Sequence, residues 1–203
     1  MANAAKSKGD RFEREAVDVL VELFAAEMVD EYARRAPEWK PMRMLGAGRL
    51  EDIGDLDVLS DVCFQVKAYA QVNTAVREAA AGAAKQSRRA GTRFECGLVP
   101  VTGRQKAGVR WLASSYEWPS PVIPKRFSNP VDAVTWMRAP ETGVAVEDRV
   151  CLVERAGTIP VWISPLQAWA AAYRIARNGE QRAAVDVREL RPAAAPSPGR
   201  KPP

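Results

Sequence analysis

Histidine is missing altogether from the 203 residues, and cysteine occurs three times, at Cys63, Cys96 and Cys151. Without histidine there is no Cys/His zinc site and no Ser-His or Cys-His nucleophile pair. Three scattered thiols are too few for a disulfide framework and read as small core residues in a reducing, cytoplasmic setting. Long apolar runs are lacking too. The most apolar early stretch, AVDVLVELFAAEMV, is broken by Asp18, Glu22 and Glu27, so the sequence predicts neither a membrane span nor the core of a signal peptide. What remains for chemistry is carboxylates, amides, lysines and hydroxyls, a set that suits hard, oxygen-seeking ions such as magnesium or manganese.

What is present is an ordinary globular composition, 47% apolar and 27% charged, on a chain long enough for one well-packed domain. A net charge of +5 permits attraction to phosphate, but a modest basic excess is common in proteins that bind no nucleic acid.

Apolar residues recur at helical spacing from Phe12 through Ala16, Val17, Leu20, Leu23, Phe24 and Met28, which predicts one long amphipathic helix over 7–35, ended by Pro37 and Pro41. A charged loop with glycines, RMLGAGRLEDIGD, follows. Two strand-like runs at 56–60 and 62–68, joined at Ser60-Asp61, read as a hairpin. A second helix runs from about Thr74 to Arg89 with Gly91 as a left-handed cap, and FECGLVPV at 94–101 is a third strand. The segment TGRQKAGVRWLA reads as a loop entering a short helix or irregular stretch. Beyond Trp118-Pro119, the prolines at 119, 121, 124 and 130 mark a connecting segment. A helix then begins at Asn129-Pro130, two strands are expected at 149–155 and 158–163, and a last helix starts at Ser164-Pro165. The order predicts an α/β fold, a central mixed sheet flanked by helices. Residues 1–118 form its core, 119–190 an extension that completes or decorates it, and 191–203 a Pro-rich disordered tail.

Alternation along a strand places Gln65 and Lys67 on one face, opposite Phe64 and Val66. Asp55 enters the preceding strand and Asp57 shares its side, so a hairpin can carry an acid to the Gln/Lys pair. On the first helix Glu13 lies within about 40° of Val17, Leu20 and Phe24, on the apolar face, whereas Glu15 and Glu22 point outward. An acid there needs a partner, a bound cation or Lys67, unless it lies past the edge of the core and meets solvent. Five of the six tryptophans, Trp111, Trp118, Trp136, Trp162 and Trp169, read as packing residues, although Trp111, next to Arg110, could touch DNA. Ser114-Ser115 has no base to activate it.

Taken in order, a helix opening SKGDRFERE, a basic glycine-bearing loop, GDLDV, the strand segment FQVK and an Ala-rich helix resemble the PD-(D/E)XK nuclease superfamily, nearest to archaeal-type and phage Holliday-junction resolvases. The likeness spans about residues 5–105. It implies a restriction-endonuclease-like core and a Mg2+- or Mn2+-dependent endodeoxyribonuclease, a phosphodiester hydrolase of DNA recombination in a bacterial or phage-infected cell. Asp55 would be the main metal carboxylate, Glu13 would reach the ion directly or through water, and the Val66 carbonyl would complete part of the coordination. Lys67 would be the family's lysine. Gln65 stands where the family usually carries glutamate or aspartate. Its oxygen can still coordinate a hard cation but brings no charge, so Asp57, Asp52 or Glu13 would have to compensate, or the fold has kept DNA binding and lost cleavage. The resemblance also implies a homodimer on branched or duplex DNA, because symmetric cleavage of two strands needs two sites. Arg43, Arg49, Lys85, Arg88 and Arg89 are the candidates for phosphate contacts.

Overall fold

The computed structural model describes residues 4–44, 54–101 and 109–189. Arg49, Asp52 and the Pro-rich tail lie outside the described residues. Eight strands form one mixed sheet: β1 (Met42–Arg43), β2 (Leu56–Asp57), β3 (Val62–Val66), β4 (Phe94–Pro100), β5 (Trp111–Ser115), β6 (Lys125–Phe127), β7 (Cys151–Val153) and β8 (Val161–Pro165). Their order across the sheet is β1-β2-β3-β4-β5-β8-β7-β6. The strands β1, β2 and β3 make an antiparallel meander, and β4 returns parallel to β3 after the crossover helix α3 (Val72–Ala90). Strands from residues 125–165 join this same sheet through the β5–β8 pairing.

Two helical layers cover the sheet. On one face, α1 (Ala4–Leu23), α2 (Ala25–Arg34) and α5 (Leu166–Glu189) bury Phe12, Ala16, Leu20, Phe24, Met28, Trp169 and Tyr173 against Phe64, Phe94 and Leu98. On the other, α3 and α4 (Pro130–Met137) bury Val76, Ala79, Ala80, Ala133 and Met137 against Val99, Leu112 and Ile163. The expected single helix over 7–35 is interrupted at Phe24, where the backbone leaves helical geometry (φ −104°, ψ 27°) although the bonds Phe24 N to Leu20 O and Met28 N to Phe24 O continue the pattern. The Phe24 ring meets Tyr173 edge-on at 5.5 Å.

The hairpin, the second helix with its Gly91 cap at φ +67°, and the Asn129 cap, which accepts from Asp132 N at 2.9 Å, lie where the sequence puts them. Three strands do not. Residues 111–115 form a central strand rather than a helical or irregular stretch, β1 occupies the start of the expected loop, and β6 lies in the Pro-rich connection. Ser164 and Pro165 remain in β8, and the last helix begins only at Leu166. Among the described residues no helix is long and apolar enough to cross a membrane.

Candidate functional site

The hairpin register sets Leu56 opposite Phe64, which brings Asp55 across from Gln65 at the carboxyl end of β3. Asp55 N donates to Phe64 O at 2.9 Å, and its carboxylate turns back on the neighbouring strand. Asp55 Oδ2 accepts from Val66 N at 2.8 Å and from Gln65 Nε2 in a short bond. Gly54, at φ +122°, makes this approach possible, because a Cβ there would lie 3.1 Å from both Cys63 Sγ and Phe64 O.

Gln65 is buried beneath α3, its side chain directly under Gly82. A buried amide needs partners, and Asp55 is one. Val66 faces the opposite helical layer. Lys67, two residues beyond Gln65, continues the pairing by donating its backbone N–H to Leu98 O at 2.9 Å; its side chain is half-buried and forms no ion pair among the described residues.

Glu13 is half-buried, and its protein partner is Arg43 rather than Lys67. Arg43 Nη1 reaches Glu13 Oε2 at 3.2 Å and Asp10 Oδ1 at 2.9 Å, so one guanidinium on β1 ties two acids a turn apart on α1. Strand pairing puts Arg43 opposite Leu56, and Met44 N bonds Asp55 O at 2.7 Å, which fixes this cluster beside Asp55. Burial holds the Glu13 carboxyl above the usual carboxylate range; the Asp55 charge adds to this and Arg43 opposes it.

Asp57 is not in the site. Its carboxylate is taken up by Arg35 and Trp39, accepting from Arg35 Nη1 at 2.6 Å and Trp39 Nε1 at 2.9 Å. There Arg35 also bonds Glu31, an acid only 1% exposed that the sequence reading passed over. Glu31 follows Met28 by one turn on the same buried stripe, so the reasoning that singled out Glu13 would have found it. Asp10 was missed too, although its three-residue spacing from Glu13 is the signal for a shared helix face.

The proposed phosphate contacts divide. Arg43 stands at the acid cluster, whereas Lys85, Arg88 and Arg89 are exposed on the C-terminal half of α3. Arg88 lines a separate cavity of about 430 Å3 with Arg93, Glu95, Tyr116 and Trp118. Basic residues in the last turn also complement the helix dipole, which gives Arg88 and Arg89 a structural role there.

The cluster's charged oxygen donors, the Asp55 and Glu13 carboxylates, are hard, whereas Gln65 turns its amide nitrogen to Asp55 and its oxygen toward Gly82 of α3. Carboxylates of this kind suit magnesium or manganese, but here they carry low charge, and a turn of the Gln65 amide and added water would be needed to complete a shell. Among the described residues no three acids or thiols stand close enough to hold an ion by themselves. Ser114 Oγ donates to Gly97 O at 3.4 Å, and Ser115 is fully buried. No protein-family model, no curated protein and no solved structure matches the chain.

Proposed function

We propose that the chain is a metal-dependent DNA endonuclease acting on branched or duplex DNA, with Asp55, Gln65, Lys67 and Glu13 as its working residues. The observation that supports this most is the meeting of Asp55 with Gln65 and Val66 at one strand end, with the Glu13–Arg43 pair beside it. The hairpin carries Asp55 to Gln65, the first helix supplies Glu13, and Lys67 follows two residues after Gln65, which supports this reading.

Asp55, Glu13 and the Val66 carbonyl would hold Mg2+ or Mn2+, joined by the Gln65 oxygen once its amide turns from the Asp55 hydrogen bond. When bound, the ion would lower the pKa of an attacking water and offset charge on the phosphate. Lys67 would orient that water or stabilise the charge that develops on the phosphoryl oxygens. Exposed Lys85, Arg88 and Arg89 of α3 hold the DNA backbone, which makes binding salt-dependent. A homodimer with two such sites, working in the cytoplasm, completes this reading.

One observation favours a second reading, a catalytically silent DNA-binding or assembly protein. Gln65 presents its amide nitrogen to Asp55, so the pair satisfies itself with a hydrogen bond and needs no ion. The assay that separates the two is cleavage of four-way-junction and linear duplex DNA in magnesium or manganese by wild type, Asp55→Ala and Lys67→Ala. Cleavage lost in both variants supports the nuclease; equal cleavage by all three proteins overturns it. Salt-sensitive binding with no cleavage supports the second reading.

A further inference from the structure

The nuclease reading leaves Arg43 with two incompatible tasks, contacting phosphate and neutralising acids. Its guanidinium does the second in the structure. A single nitrogen, Nη1, sits between Asp10 Oδ1 and Glu13 Oε2, and all three side chains are largely withdrawn from solvent, at 22%, 32% and 24% exposure. Positive charge is drawn here, because Glu13 also lies in the field of Asp55.

We propose that Arg43 is the resident counter-ion of the acid cluster, and that it competes with a divalent cation for Glu13. The inference rests on the reading that this site takes such a cation. Three points carry it. First, Arg43 and a metal ion would both need the Glu13 carboxylate, and two cations drawn to one partly buried group repel each other. Second, Arg43 is delivered by β1, an edge strand of two residues held on one side only, so its side chain can withdraw without breaking the sheet's interior. Third, the acid absent at Gln65 leaves few charged donors beside Asp55 among the described residues, so losing Glu13 to Arg43 removes one of the carboxylates that attract the ion. A DNA phosphate that draws Arg43 away would therefore release Glu13, and the site would fill when substrate is present.

The test is Mn2+ binding by the full chain without DNA, followed by the paramagnetic resonance of free Mn2+ and by calorimetry, for wild type, Arg43→Gln, Arg43→Lys and the double variant Arg43→Gln/Glu13→Gln. Arg43→Gln is expected to bind about tenfold more tightly than wild type, within the span usual for coupled sites. The double variant should lose that gain. Arg43→Lys keeps the charge but not the forked geometry, so it should gain less, and it tests the idea if the glutamine variant folds poorly. Equal Mn2+ affinity in wild type and both single variants overturns the competition while leaving the metal reading standing. Absence of Mn2+ binding from every protein overturns both.

Discussion

Gln65 donates its side-chain N–H to the Asp55 carboxylate, and the same Asp55 oxygen takes the backbone N–H of Val66. One aspartate thus closes the end of β3 and satisfies the amide buried under α3. Gln65→Glu tests what the glutamine is for. It would set a second carboxylate against Asp55, and at about 4 Å two like charges repel by about 4 kcal/mol at an effective dielectric of 20. Without metal the variant should melt lower than wild type, by about 2–4 °C for each kcal/mol lost. Mn2+ should raise its melting temperature more than that of wild type, because the ion replaces the lost hydrogen bond with attraction to both acids. Thermal melts with and without Mn2+ check this, and an equal shift in the two proteins would show that position 65 does not face a cation.

Glu31 carries the buried charge that the sequence reading overlooked. It accepts from Arg35 Nε at 3.0 Å, from Ser60 N at 3.1 Å and from Ser60 Oγ at 3.0 Å, so it pins α2 to the loop after β2. Glu31→Ala should destabilise by about 3–5 kcal/mol, the usual cost of removing one partner from a buried pair. Arg35 also bonds Asp57 and lies over the Trp39 ring at 4.0 Å, so Arg35→Lys should be costly despite keeping its charge. Urea denaturation of both variants measures this. Retained cleavage per folded molecule would place the network outside the site.

The elements that were legible in the sequence carry one-sided patterns or local punctuation. The stripe from Phe12 to Met28, the Gly91 cap and the Asn129-Pro130 start are local signals, and each lies as expected. Strand β5 was not legible because all five residues are buried, so it lacks the alternation that marks a half-exposed strand. The strands β1 and β6 are two and three residues long and owe their identity to pairing with distant partners. At the site, alternation was enough to place Gln65 and to bring Asp55 to it. The partner of Glu13 was not readable, because Arg43 is 30 residues away in a segment with no periodic signal.

Gly97 offers a test of how closely the site's cover must sit. It lies opposite Gln65 in the parallel β3–β4 pairing, and a Cβ there would come within 2.4 Å of the Ala79 backbone carbon and 2.7 Å of the Ala79 carbonyl oxygen. Those atoms belong to the rigid backbone of α3, so the helix itself must move. Gly97→Ala should therefore cost about 3 kcal/mol, the upper end for overpacking a core. Gly143→Ala is the contrast, since its φ of +65° strains an added side chain while nothing lies within 4 Å, and the cost there should stay near 1 kcal/mol. Because α3 also covers Gln65 at Gly82, lifting it should loosen the amide's seat and reduce site function in Gly97→Ala beyond the loss of folded protein. Urea denaturation gives the two stabilities, and cleavage or DNA binding per folded molecule gives the second effect. A Gly97→Ala protein as stable as Gly143→Ala would mean that α3 does not press on the sheet as closely as the geometry requires.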